Sequence, residues 1–110
     1  MKIKQFEYEP LSHFSYAIIS DGKMALVDPE RNPIQYYKYA EENNAKIVAI
    51  FETHPHADFV SSHLQIHNET GAELYCSKKT GADYPHTTFD DGDEVKIGNT
   101  IFKAINTPGH

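Results

Sequence analysis

His54, His56 and Asp58 stand at alternate positions in Thr53-His54-Pro55-His56-Ala57-Asp58, directly after the apolar run Ile47-Val48-Ala49-Ile50-Phe51. In extended backbone, alternate side chains project to one side, so this spacing brings two imidazoles and a carboxylate toward one point. Imidazole nitrogen and carboxylate oxygen are donors suited to zinc, iron or manganese. Pro55 stiffens the loop between the histidines and removes a competing amide donor. The competing reading is an exposed polar loop whose histidines only meet water; the position at the mouth of a strand favours metal. His110, closing Thr107-Pro108-Gly109-His110, is a fourth candidate, placed on a turn at the end of a strand.

Other histidines read differently. His63 and His67 share a helix face but lack the glutamate of a zincin motif, so packed or half-exposed side chains are expected. His13 and His86 read as surface residues. The acidic turn at Asp90, Asp91 and Asp93 has no distal bidentate glutamate and reads as a solvated turn rather than a calcium loop. Cys76, the single cysteine, cannot form an intrachain disulfide or a thiolate zinc site, and is expected to be a buried, inert thiol.

The elements that must position the candidate ligands follow from pattern. Ile3, Phe6 and Tyr8 open with a strand that ends at Pro10. Ser15–Ser20 and Met24–Val27 flank Asp21-Gly22-Lys23, a strong hairpin signal. A first helix is predicted from about Pro33 to Asn43, with Ile34, Tyr37, Ala40 and Glu41 on its inward stripe. Ile47–Phe51 is apolar on both faces, as a central strand covered on each side should be. A second helix is predicted from near Phe59 to Gly71, turning two neighbouring stripes inward: Phe59, His63 and Ile66, then Val60, Leu64 and His67. Glu73–Ser77 is a further strand, and Val95–Ile97 with Thr100–Ile105 forms a last hairpin around Asn99. Helices alternate with strands and hairpins, giving a mixed α/β layer structure.

Composition bounds the function. The chain has 110 residues, enough for one modest domain that buries ~65% of its unfolded surface. Sixteen acidic against ten basic residues, a net charge of −6, argue against a nucleic-acid or anionic-membrane surface. No stretch approaches the ~20 apolar residues of a membrane span, and Met1-Lys2-Ile3-Lys4 opens a strand rather than a signal peptide. A cytoplasmic protein is expected.

Thr53–Asp58 resembles the Thr-His-x-His-x-Asp-His signature of the metallo-β-lactamase superfamily, and Thr107–His110 resembles its Thr-Pro-Gly-His-Thr segment. Leu26-Val27-Asp28 is similar to the strand that ends in a site-supporting aspartate. The resemblance runs through the whole chain in order but covers only the N-terminal half of the family's αββα sandwich. The expected fold is therefore a mixed sheet with two helices, and residues 1–110 form a partial domain without its C-terminal half.

One position departs from the signature: Phe59 stands where binuclear hydrolases carry a histidine. Phenylalanine cannot ligate a metal, so a tightly held pair of ions is not expected. Phe51–Thr53 with His56-Ala57-Asp58-Phe59-Val60-Ser61-Ser62-His63 is similar to the persulfide dioxygenase branch, including members fused to rhodanese domains. That resemblance implies one iron(II) per parent protomer, held by two histidines and one aspartate. His54 and His110 are then the histidine ligands, and the triad's aspartate is expected beyond His110. His56 and Asp58 become near neighbours that orient ligands or water, with Asp58 the candidate catalytic residue. In a zinc hydrolase, by contrast, His54, His56 and His110 all contact the metal.

The implied reaction oxidises glutathione persulfide with dioxygen to glutathione and sulfite. The alternative is a zinc-dependent thioester hydrolase of the hydroxyacylglutathione hydrolase kind, in which a metal-bound water attacks the carbonyl. A third reading makes the 110 residues alone an inactive metal-binding or folding fragment. Half a sandwich should leave one sheet face bare, so a homodimer or segment-exchanged oligomer is expected, with a small-molecule thiol or persulfide as substrate.

Overall fold

β1 (Lys2–Tyr8) pairs antiparallel with β2 (His13–Ser20) from Lys2↔Ile19 to Tyr8↔His13, and buried and more exposed residues alternate along β2 from Phe14 to Ile19. The computed structural model describes residues 1–8, 13–30, 32–52, 63–76, 87–88 and 92–103. Asp21 and Gly22, at φ +53° and +74°, make the two-residue turn into β3 (Lys23–Val27), closed by Ser20↔Lys23. Both turn residues are left-handed, the type I′ geometry whose twist matches the strands it joins. The predicted hairpin is present.

From β3 onward the sheet is parallel. β3 pairs with β4 (Lys46–Glu52), β4 with β5 (Glu73–Cys76), and β5 with the two-residue β6 (Thr87–Thr88). The order is β1-β2-β3-β4-β5-β6. The parallel crossovers run through α1 (Ile34–Glu42) and α2 (His63–Thr70). β4 is flanked on both edges and buried along most of its length, as its continuous apolar run predicts. Among the described residues, no helix is long and apolar enough to cross a membrane.

Each face of the sheet has its own core. The helix side gathers Ala17, Ile19, Met24, Leu26, Ile47, Ile50 and Leu74 under Tyr36 and Ala40 of α1 and Ile66 of α2. On the opposite side, Ala25, Ala49 and Phe51 lie under Ile97, with Val95 and Phe102 packed beside them. These last residues belong to a separate two-stranded sheet, β7 (Glu94–Ile97) with β8 (Thr100–Lys103). The face expected to be bare is therefore partly covered by this hairpin, because Val95, Ile97 and Phe102 give it an apolar side of its own. Ile3 and Phe14, on the β1–β2 part of the sheet, remain exposed.

Strict alternation along β4 would place Ile47, Ala49 and Phe51 on one face. Instead Ile47 and Ile50 face the helices while Ala49 and Phe51 face the hairpin. The cause is a bulge. Met24 pairs with Ile47 but Ala25 pairs with Ala49, so Val48 is an extra residue that resets the side-chain phase.

The inward stripe of α1 also differs from expectation. Tyr36 and Ala40 are buried, whereas Ile34 is 59% exposed and Glu41 is exposed. The helix is turned so that the Tyr36 hydroxyl reaches buried polar groups of the sheet, a requirement that apolar periodicity does not encode. Helix α1 stops at Asn44, whose φ of +50° is left-handed. Helix α2 stops where predicted, at Gly71 with φ +75°, and the Gly71 N–H donates to His67 O at 3.0 Å. The predicted helix start near Phe59 lies outside the described residues.

The β7–β8 turn docks tightly on the β2–β3 turn. The Asn99 N–H donates to Ser20 Oγ at 3.0 Å, and a Cβ built on Gly98 (φ +58°) would lie 2.1 Å from Ser20 O. Gly98→Ala should therefore push the hairpin off the sheet, costing roughly 1–3 kcal/mol from strained backbone and the lost contact. Urea unfolding checks this, with Asn99→Ala expected to stay near wild type because its main-chain bond remains.

Two tyrosines at the periphery keep their protons unusually well. Burial first, then the hydrogen bond to Glu69 and that carboxylate's charge, push Tyr37 up to about 12. Tyr75 is likewise raised to about 12, by burial first and then by Glu73, whose Oε2 accepts its proton at 2.9 Å. A phenol with its pKa raised above 10.0 binds its proton more tightly in the folded chain. Stability should then be unaffected by these groups below pH 10 and fall as pH rises toward about 12. Melting temperatures across that window should decline, and Tyr37→Phe should blunt the decline.

Candidate metal centre

The carboxyl ends of β3, β4 and β5 lie side by side, the edge of a parallel sheet at which departing loops can converge on a ligand. They end in chemistry-bearing residues: Asp28 just after β3, Glu52 closing β4 and Cys76 closing β5. Glu52 and Cys76 are register partners. Asp28, Glu52 and Cys76 are only 6%, 4% and 1% exposed. Carboxylates are rarely this buried, so two at adjacent strand ends mark a polar centre inside an otherwise apolar layer. Cys76 is buried, as the sequence predicts.

Asp28 is held in an unusual conformation. Its φ is +49°, and its N–H donates to Phe51 O at 2.8 Å, extending the β3–β4 ladder beyond the end of β3. The following turn is fixed by side chains. The Glu30 N–H donates to the Tyr36 hydroxyl at 2.6 Å, and that hydroxyl shares a 2.7 Å hydrogen bond with Ser15 Oγ. Glu30 Oε1 accepts from the Asn32 N–H at 3.0 Å and from Gln35 Nε2 at 3.2 Å. Asn32 Oδ1 accepts from the Ile34 N–H at 3.1 Å, satisfying one amide of the first turn of α1. Burial raises the pKa of Tyr36, so its ring carries a neutral hydroxyl that can donate and accept.

His54, His56, Asp58 and Phe59 fall within residues 53–62, and His110 within 104–110; both segments lie outside the described residues. So do His86, Asp90 and Asp91. Among the described residues, no three His, Cys, Asp or Glu side chains gather to hold a metal. What the structure supplies is the frame. Central strand β4 ends at Glu52, two residues before His54, and Asp28 is tied to that end. A segment leaving this point with two imidazoles and a carboxylate has donor chemistry that fits zinc or iron.

His67 behaves as a packed histidine. It is half-buried, and its Nδ1–H donates to Ala72 O at 2.6 Å, closing the end of α2. The Tyr36–Ser15–Glu30 cluster has no sequence signature. Its members are separated by 6 to 21 residues and meet only when α1 packs on β2.

The family described as the metallo-beta-lactamase superfamily matches residues 8–110. Hydroxyacylglutathione hydrolase of Rhizobium etli is 35% identical over 92 residues, covering 81% of this chain and 35% of that protein. Hydroxyacylglutathione hydrolase of Francisella tularensis subsp. novicida is 26% identical over 114 residues, covering 100% and 44%. Among solved structures, a metallo-beta-lactamase from Staphylococcus aureus subsp. aureus COL superposes with a TM-score of 0.89 at 30% identity, covering 98% of this chain and 34% of that one. ETHE1 from Myxococcus xanthus has a TM-score of 0.85 at 24% identity, covering 94% and 47%; that likeness is one of fold. The chain spans 35% and 44% of the lengths of these two curated relatives.

Proposed function

Since this chain belongs to the metallo-beta-lactamase superfamily, we propose that it is the metal-bearing part of a mononuclear iron enzyme that oxidises glutathione persulfide to sulfite and glutathione. The observation that carries the reading is Phe59. A side chain without a donor atom follows Asp58 where a second metal would need a histidine, and this favours a single ion. Iron(II), when bound, supplies open coordination positions for a sulfur substrate and dioxygen. The chain's own residues supply the rest. His54 and His110 hold the ion, His56 and Asp58 orient ligands or water, and the buried end of β4 fixes where the ligand segment begins.

A second reading is favoured by the two curated relatives above, both of which carry the name hydroxyacylglutathione hydrolase. In it His54, His56 and His110 all bind zinc, and the substrate is a glutathione thioester. Both readings share a glutathione-linked sulfur compound. Metal analysis and an oxygen electrode separate them. The full-length gene product is expected to hold about one iron per chain and to consume oxygen when given glutathione persulfide. Two zinc ions per chain with thioester cleavage and no oxygen uptake would overturn the dioxygenase reading. The 110 residues alone are proposed to turn over neither substrate.

A further inference from the structure

We propose that Tyr36 is a positioning residue for the metal centre, an inference that rests on the reading of His54 and His110 as metal ligands with His56 and Asp58 beside them. Tyr36 is fully buried in the core beneath α1, where a phenylalanine would fill nearly the same volume without burying a hydroxyl. That hydroxyl is satisfied by two elements of the sheet: Ser15 Oγ of β2 at 2.7 Å and the Glu30 N–H of the turn after β3 at 2.6 Å. Glu30 is two residues beyond Asp28, whose own N–H is fastened to Phe51 O at 2.8 Å. Phe51 is three residues ahead of His54. A continuous set of bonds thus runs from α1 through the 28–30 turn to the end of β4, where the ligand segment leaves the sheet.

Without the hydroxyl, the Glu30 N–H and Ser15 Oγ lose this partner inside the core, and Glu30 keeps only the part-buried bond from Gln35 Nε2 to its Oε1 as a link to α1. Asp28, strained at φ +49°, is then held to β4 with a more loosely anchored turn behind it. Groups that orient a metal's ligands from behind typically cost ten-fold or more in affinity when removed.

The test is Co(II) titration of the full-length gene product, read by calorimetry and by the visible bands of the bound ion. Tyr36→Phe is expected to bind Co(II) about ten-fold more weakly, with shifted bands. Ala40→Gly, one turn along α1 and remote from the 28–32 turn, should lower the melting temperature while leaving Co(II) affinity unchanged. Tyr36→Phe binding as tightly as wild type, or Ala40→Gly losing as much affinity, would overturn the proposal. A wild type that binds no Co(II) would instead overturn the metal reading beneath it, and the inference with it.

A measurement on the unaltered protein covers the case in which Tyr36→Phe does not fold. Coupling is reciprocal, so saturating Zn(II) should slow hydrogen exchange of the Glu30 amide, by about ten-fold if the clamp is fully coupled to the centre. An exchange rate indifferent to Zn(II) would defeat the proposal.

Discussion

Replacing His54 by alanine is expected to weaken divalent-metal binding by the full-length protein about 100-fold. Apparent binding energies of ~10–16 kcal/mol shared among three protein ligands assign at least about 3 kcal/mol to each, and about 2.7 kcal/mol is two decades in Kd. The fold should survive, because among the described residues both cores are held by apolar side chains of the strands, the two helices and the β7–β8 hairpin. Competition against a chelator of known affinity measures the loss, and far-ultraviolet circular dichroism checks the secondary structure. His67→Ala is the matched control. Its imidazole closes α2 on Ala72 O, so that variant should lose some stability and keep its metal affinity.

Phe51→Ala is expected to be the most destabilising single change, at about 3–5 kcal/mol. The Phe51 ring is 4% exposed and stacked between two others: Tyr75 at 4.9 Å with 15° between planes, and Phe102 at 5.1 Å with 3°. It therefore joins β4 to β5 within the sheet and carries the β8 strand on top. Truncation leaves a hole that these flat neighbours can close only by moving the hairpin. A domain of this size is stable by only ~5–15 kcal/mol, so the variant should sit near its unfolding threshold. The urea midpoint should fall sharply, and Val95 and Phe102 should become more accessible before the helix side does.

The parts legible in the sequence were those governed by local rules. Asp21-Gly22 announces its turn because few residue pairs accept left-handed backbone twice in succession. β4 announces itself because a strand covered on both faces needs an unbroken apolar run. Gly71 marks the end of α2 for the same steric reason. Phase and long-range pairing were less legible. Ile34 and Tyr37 fit a helical stripe as well as Tyr36 does, and only the distant Ser15 and Glu30 decide which of them turns inward. The cover over Phe51 comes from residues 94–103, whose short strands give no hint of which surface they will meet. For the ligands, type and spacing are visible at His54, His56 and Asp58, while the structure adds the buried strand ends and the clamped turn beside them.

The additional residue in β4 bears on which changes of length this domain can accept. Excising Val48 leaves Met24 opposite Ile47 and Ala25 opposite Ala49, so every other rung of the β3–β4 ladder survives. Excising Ala49 removes the bulge equally, because Val48 already lies on the hairpin side and takes its place opposite Ala25, whereas excising Ile50 puts the small Ala49 opposite Leu26 and empties a position of the helix-side core. Positions 48 and 49 are thus a splice point: a one-residue deletion there should yield a folded protein, while deleting Ile50 should cost about as much as truncating that side chain, roughly 2–5 kcal/mol.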